Sequence, residues 1–299
     1  MKIVLGVDTE DIYREAACLL GRLKFPSSEV VAVHVCEPAP LPAFAVALFA
    51  PVDAMETHKV ERSNHLLGSV SGEIERLSHS VCIGTQSRIG SPSYEIIEAA
   101  EQECADLIAI GSHRLGPIQS FFTGSVGRAL SVHSETSFLV ARSGIEENSE
   151  VTAVFATDHS EHSDRCLDEL LRLNPLGLTK IHIVFAADTE QDLRAPAERL
   201  GFGDVDADQL GVELDAIGSK LADKCLESGR FADYRFVRED PDRALHHRMN
   251  ATKSQLLILG GKRHGIMERT MFGSVSLHEI LNEDFSVLVI RLPEEESVS

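Results

Sequence analysis

The chain has 299 residues, with 28 Lys and Arg against 47 Asp and Glu, a formal net charge of −19. That length suits about two domains of ordinary size, and 43% hydrophobic with 25% charged residues is the make-up of a globular chain, not a disordered one. The charge excludes a nucleic-acid partner, whose binding needs Lys and Arg to displace phosphate counterions, and 5% aromatics with no Trp excludes a base-stacking platform.

The first predicted element is a strand, Lys2–Val7, ending in Asp8, followed by helical spacing (Ala16, Ala17, Leu19, Leu20, Leu23) to about Leu23. Val30–Val35 is near-continuously apolar, as in a strand buried on both faces of a parallel sheet. A helix over Val52–Ser78, a strand over Val81–Ile89, a helix from Ser93 to about Cys104 and a fourth strand over Asp106–Ile110 follow. A helix opens at Ser125, and Ser137–Arg142 is the last strand before an acidic, polar linker, Ser143 to Glu150. Beyond it, Val151–Thr157, Lys180–Ala186, Tyr234–Val237, Gln255–Leu259 and Phe285–Arg291 take the same roles. Strands alternating with helices predict right-handed crossovers and doubly wound parallel sheets.

The second series repeats the first. Gly111-Ser112-His113-Arg114-Leu115-Gly116, then seven residues, then Gly124-Ser125-Val126, has a twin in Gly260-Gly261-Lys262-Arg263-His264-Gly265, then seven residues, then Gly273-Ser274-Val275. Asp8 with Asp158, His34 with His182 and Pro92 with Pro241 hold nearly the same offset. One offset across a whole half identifies a tandem duplication, with domains expected over residues 1–143 and 150–293.

Each half thus places a Gly-rich stretch after its fourth strand and a Gly-Ser at the start of the next helix. Glycine permits sharp turns and close approach of a ligand to the backbone. A helix N-terminus offers unpaired N–H groups to a phosphate, and ligands of open α/β sheets gather at the carboxyl ends of the strands. Asp8 and Asp158 end the first strands and are expected to face the same crevices, where a carboxylate accepts hydrogen bonds from an adenine amine or a sugar hydroxyl.

On these residues both halves resemble universal stress protein domains, whose signature is Gly, two residues, Gly, nine residues, then Gly-Ser or Gly-Thr. The resemblance covers nearly the whole chain, including the Val7-Asp8 and Thr157-Asp158 openings and Gly90-Ser91-Pro92. It implies two Rossmann-like domains packed as an internal pseudo-dimer through Ser137–Arg142 and Phe285–Arg291, with a homodimer of whole chains also plausible. It further implies an adenine nucleotide, ATP with or without Mg, as ligand. Asp8 would then meet the adenine, Val7, Val35 and Ile110 would lie along its pocket, and Gly111, His113 and Gly116 would flank the ribose and phosphates. Gly124, Ser125 and Val126 would donate to the phosphates. In the second half Thr157, Asp158, Leu259, Gly260, Gly265, Gly273, Ser274 and Val275 would correspond.

One position departs from the family: its second glycine is Arg114 in the first half and Arg263 in the second. Either the guanidinium pairs with a phosphate, a geometry Arg suits, or it closes the old site. The two outcomes separate a nucleotide binder or sensor from a nucleotide-free scaffold that recruits protein partners. A nucleotidyl-transfer or ATP-cleaving enzyme is a third reading, and the loops such enzymes use are absent. No residue stands out as nucleophile or general base, no Walker A or GxSxG motif occurs, and Gly201-Phe202-Gly203 lacks the third glycine of a dinucleotide fingerprint. The chain therefore reads as a non-enzyme.

His34 and His182 are expected to be packed, hydrogen-bonded strand residues, and His113 and His264 solvated loop residues. His159, His162, His246 and His247 find no carboxylate or Cys cluster that would complete a metal site. Leu41–Val52 (LPAFAVALFAPV) has no apolar counterpart in the second half and reads as a loop and helix start over the core, or as a lid or partner surface. Six scattered cysteines without a CxxC pair point to a reduced, cytoplasmic protein. Ile3–Val7 is too short for a signal-peptide core. Pro38–Val52 is uncharged over 15 residues but carries four prolines, so no membrane partner is expected.

Overall fold

The structure, a computed structural model, is described for residues 1–38, 52–112, 125–142, 150–189, 193, 196–198, 201, 207–261 and 285–293, with side chains described outside 52–56, 125 and 207–209. The first half runs β1 (Lys2–Val7), α1 (Tyr13–Leu23), β2 (Glu29–Cys36), α2 (Val52–Ser78), β3 (Val81–Ile89), α3 (Pro92–Gln102), β4 (Leu107–Ser112), α4 (Ser125–His133) and β5 (Ser137–Arg142). The second half runs β6 (Val151–Ala156), α5 (Glu161–Leu173), β7 (Leu178–Ala186), α6 (Ala207–Glu227), β8 (Phe231–Val237), α7 (Pro241–Thr252), β9 (Leu256–Gly261) and β10 (Ser286–Arg291). Sequence spacing places β8 from Tyr234; it starts three residues earlier, at a Phe231 whose 53% exposure interrupts the apolar pattern.

The ten strands form one sheet in the order β3-β2-β1-β4-β5-β10-β9-β6-β7-β8. Within each half every pairing is parallel. Both faces are covered, which is why the central strands are apolar at successive positions and not at alternate ones. On one face Tyr13 and Leu20 of α1, Leu67 and Ile74 of α2, Leu167 of α5 and Leu221 of α6 share a core with Leu5, Leu139, Ile183 and Leu288. On the other, Ile96 and Ile97 of α3, Leu130 of α4 and Leu245 and Met249 of α7 pack on Val4, Phe138, Val184 and Val287. Each core therefore spans both halves. Among the described residues no helix is long and apolar enough to cross a membrane.

The halves meet where β5 pairs antiparallel with β10, Phe138 opposite Val289, Leu139 opposite Leu288 and Val140 opposite Val287. This is the internal pseudo-dimer that the resemblance implies. Both ends of the short ladder close the same way: Ser286 Oγ accepts from Arg142 N at 3.0 Å, and Ser137 Oγ accepts from Arg291 N at 3.0 Å. Ser137 and Ser286, like Arg142 and Arg291, are repeat-related, so the seam carries an approximate two-fold. The halves touch again where Gly177 N donates to Leu23 O at 2.9 Å; a Cβ on Gly177 would stand 1.6 Å from the Arg22 carbonyl oxygen.

Because β5 and β10 run in opposite directions, the strands of the first half end at one edge of the sheet and those of the second half at the other. The two expected crevices therefore open on opposite sides of the molecule.

Ser137 is 4% and Ser286 1% exposed. Ser137→Ala or Ser286→Ala leaves a buried N–H without its acceptor and is expected to destabilise the chain by about 1–3 kcal/mol in urea unfolding. Six free cysteines also differ in reach: burial pushes the Cys166 thiol up to about 12 and Cys225 to about 11, whereas Cys104 is exposed. Raised values keep both thiols protonated in mildly alkaline buffer, so alkylation followed by mass spectrometry is expected to label Cys104 in the native protein, and Cys166 and Cys225 only after denaturation.

Candidate functional site

At the carboxyl ends of β1, β2 and β4 the first half opens a cavity of about 760 Å³. This is the switch point of the half-sheet, since β1 has β2 on one side and β4 on the other and the chain leaves for different faces. Of the residues predicted from sequence, Val7, Asp8, Val35, Ile110, Gly111 and Val126 meet around it. Ser125 opens α4, the helix that carries Val126. His113, Arg114, Gly116 and Gly124 lie outside the described residues.

Asp8 is built into the turn it helps to form. Its Oδ1 accepts from Glu10 N at 2.7 Å and Ile12 N at 3.0 Å, and its Oδ2 from Tyr13 N at 2.7 Å. The residue at the N-cap of α1 is Ile12, which has no side-chain acceptor, so the carboxylate four residues upstream caps the helix instead. Three bonds occupy most of the roughly four acceptor sites of a carboxylate and leave about one facing the cavity. Gly111 is required by the same turn: a Cβ there would stand 2.0 Å from the Ile12 carbonyl oxygen. The glycine that sequence reading assigned to ligand approach thus first serves helix–strand packing.

His34 is held as expected, its Nδ1 donating to Val7 O at 2.7 Å, and it also borders the cavity. A neutral ring bonded in this way presents Nε2 as an acceptor. His182 is likewise a hydrogen-bonded strand residue, with Nδ1 donating to Asp233 Oδ1 at 2.8 Å. Partial burial works to raise the Asp233 carboxyl, but the Arg248 guanidinium and His182 outweigh it and hold it below the usual carboxylate range.

The two histidines are not counterparts, however. Val7 pairs with His34, whereas in the second half Val154 pairs with His182 and Ala156 with Val184, so Phe185 stands level with Thr157. The register shifts by one residue between Val151 and Thr152, and the 148-residue spacing of the two histidines misses it.

Corrected for register, the matching rows of the second half carry different side chains. His34 and Ser87 pair across β2 and β3, and Ala32 pairs with Thr85. The corresponding pairs in the second half are Phe185 with Phe236 and Ile183 with Tyr234. Thr9, next after Asp8, corresponds to His159. Thr9, Thr85 and Ser87 of the first half are therefore rings in the second, and the polar imidazole of His34 is replaced by the apolar ring of Phe185. Phe185 and Phe236 stack with centroids 5.5 Å apart, His159 meets Phe185 edge-on at 5.1 Å, and His159 Nε2 shares a 2.8 Å hydrogen bond with Tyr234 Oη. Phe185 is 3% and His159 5% exposed, and Leu193, Leu210 and Leu214 complete the cluster. Burial drives the Tyr234 hydroxyl far upward.

The other described second-half residues each have a bonding or packing partner in the fold. Thr157 is fully buried, its hydroxyl accepting from His159 N and Ser163 Oγ, both at 3.0 Å. Asp158 Oδ1 accepts from Ser160 N at 2.9 Å, and Ser160 itself caps α5. Leu259 is buried in the sheet and Gly260 pairs with Ile290. Arg263, Gly265, Gly273, Ser274 and Val275 lie outside the described residues, as do His264 and residues 41–51. His162 turns to Gly261 O at 3.1 Å while His159 turns to Tyr234, so this pair does not converge.

Sequence reading missed one wall of the first cavity. Lys59, Arg62, Ser63 and Leu66 of α2 line it, at the i, i+3, i+4, i+7 spacing of a single helix face. The spacing was legible once α2 was predicted; which face turned inward was not. Ser112, Pro92 and Ile96 also line the cavity, and Ser112 Oγ accepts from the buried Arg142 guanidinium.

The model of the universal stress protein family matches residues 1–142 and 152–291. No curated protein matches the chain. Among solved structures, a universal stress protein from Archaeoglobus fulgidus DSM 4304 is 17% identical over 97% of this chain and 98% of its own, with a TM-score of 0.68. A functionally unknown protein from Pseudomonas aeruginosa PAO1 is 13% identical over 97% of this chain and 92% of its own, with a TM-score of 0.59. A putative universal stress protein from Pseudomonas aeruginosa UCBPP-PA14 is 11% identical over the same shares, with a TM-score of 0.57. At these identities the likeness is one of fold, but two family matches spanning nearly all of the chain place it: this is a tandem member of the universal stress protein family.

Proposed function

We propose that this tandem universal stress protein binds an adenine nucleotide, ATP or a close relative, in its first half and serves the stress response in the cytoplasm as a binder or sensor. The observation that carries this reading is the cavity at the β1/β4 switch point of the first half, two of whose lining residues, Thr9 and His34, have rings of a packed cluster, His159 and Phe185, as their row-matched counterparts in the second half. Val35, Ile96 and Ile110 supply apolar walls for a base. The remaining acceptor capacity of Asp8 suits an adenine amine or a ribose hydroxyl, and Val126 near the start of α4 brings helix N–H groups toward the phosphates. Magnesium accompanies such phosphates, keeping several waters of its own.

Binding without strong catalysis follows from the same geometry. The Asp8 carboxylate is committed to three backbone N–H groups and Ser112 Oγ to the Arg142 guanidinium, so neither is poised as base or nucleophile. Any hydrolysis is slow and incidental.

A scaffold reading draws support from the second half alone. There the ring cluster replaces the crevice, and that half is left to packing and to recruiting protein partners.

Calorimetric titration of the full chain with MgATP is expected to give one site per chain. No binding would overturn the reading, and two equal sites would contradict the closure of the second half. Transplanting the second-half rings with H34F/S87F is expected to weaken ATP by about tenfold or more, the loss of about 1.4 kcal/mol or greater, with the melting temperature held near the parent value.

A further inference from the structure

The helical wall that sequence reading missed carries more chemistry than a nucleoside needs. Ser63 is 2% exposed, and its Oγ is buried with no hydrogen-bond partner among the described residues, although it lines the cavity. A buried hydroxyl without a partner is uncommon, and on a residue that lines a cavity it has a bond left to give a ligand atom once the side chain rotates toward that space. Lys59 stands one turn before it on the same face. Its Nζ donates to the Glu37 carbonyl at 2.8 Å, a neutral acceptor that leaves the ammonium charge uncompensated. Arg62, beside Ser63, is exposed and makes no ion pair among the described residues.

Other arginines of the first half are differently placed. Arg14 and Arg76 pair with Glu73, and Arg88 with Glu95. In a chain of net charge −19, two cations without acidic partners among the described residues stand on one helix face, next to a buried hydroxyl without a bond, and gather positive charge on that wall of the cavity. Asp8, Glu10 and Glu37 share the cavity. Of these, Asp8 is bonded by three N–H groups and Glu37 is exposed.

We propose that Lys59, Arg62 and Ser63 form an anion subsite on the α2 wall that receives a phosphoryl group of the bound nucleotide. The assignment rests on the nucleotide reading above and adds what selects the ligand. The Arg62 guanidinium matches a phosphoryl oxygen pair, Lys59 supplies a point charge and the Ser63 hydroxyl donates. A nucleoside fits the apolar part of the cavity equally well but leaves this wall unused. The subsite therefore sets the preference for phosphorylated ligands over nucleosides.

Titration of the full chain with ATP and with adenosine, at low and at high salt, tests the assignment in the parent, in K59Q/R62Q and in S63A. The double variant is expected to bind ATP about tenfold more weakly at low salt and adenosine within about twofold of the parent, with the ATP difference shrinking as salt screens it. S63A is expected to weaken ATP several-fold with adenosine unchanged, while its ligand-free melting temperature stays level or rises, because the hydroxyl removed was unbonded. ATP affinity equal to the parent in both variants overturns the subsite and leaves the nucleotide reading intact. Equal losses for ATP and adenosine also overturn it, since they reduce α2 to a packing wall. If the parent binds neither probe, both readings fall together.

Discussion

The antiparallel pairing of β5 with β10 is the constraint on which the rest of the molecule depends. Alone, each five-stranded half would end in an open apolar edge, Phe138 to Val140 in one and Val287 to Val289 in the other, and such an edge invites pairing with another chain. Joined, these six residues are at most 3% exposed, and each buried side chain of this size contributes about 1.5–3 kcal/mol. The serine–arginine closures at both ends fix the register, so the sheet and the cores on its two faces continue across the seam. The seam also sends the ends of the two half-sheets to opposite edges, so the two crevices are separate and each answers only to its own half.

That separation allows the halves to diverge without disturbing the fold. Row by row, the first half keeps Thr9, His34, Thr85 and Ser87 where the second carries His159, Phe185, Tyr234 and Phe236. Three exchanges put a ring where the first half has a hydroxyl side chain and the fourth replaces an imidazole by a phenyl ring, and the second-half rings meet through stacking, an edge contact and the His159–Tyr234 hydrogen bond. A buried aromatic cluster of this kind adds apolar burial where the other half keeps an open volume. The second half thus contributes rigidity, and the first retains a space bordered by polar groups.

Much of this was legible in the residues. The repeat at 149 positions and the apolar strands follow from patterning, because buried parallel strands and loop glycines are written in local sequence, whereas the final-strand pairing is implied by the family resemblance. What escaped was register. His34 and His182 look equivalent by spacing, but their 148-residue offset falls two short of the 150 of the first strands, and the one-residue shift beside Val151 makes the separation in the sheet three positions. The filling of the second crevice was hidden for the same reason, since Phe185, Tyr234 and Phe236 read as ordinary strand residues until their rows are matched. Lys59, Arg62 and Ser63 were hidden because helix periodicity gives a face but not its direction. Gly111 reads in sequence as a position of ligand approach, and the group that stands against it is the Ile12 carbonyl, a tertiary contact no local pattern contains.

The central claim is that one half holds a nucleotide and the other is filled by its own side chains. A crystal structure of the full chain grown with ATP tests it most directly. The account predicts nucleotide density between Asp8, Val35 and Val126, with the rings of Phe185, Tyr234 and Phe236 packed as a cluster and no ligand at their row. Nucleotide bound in the second half with those rings displaced, or in neither half, would contradict it.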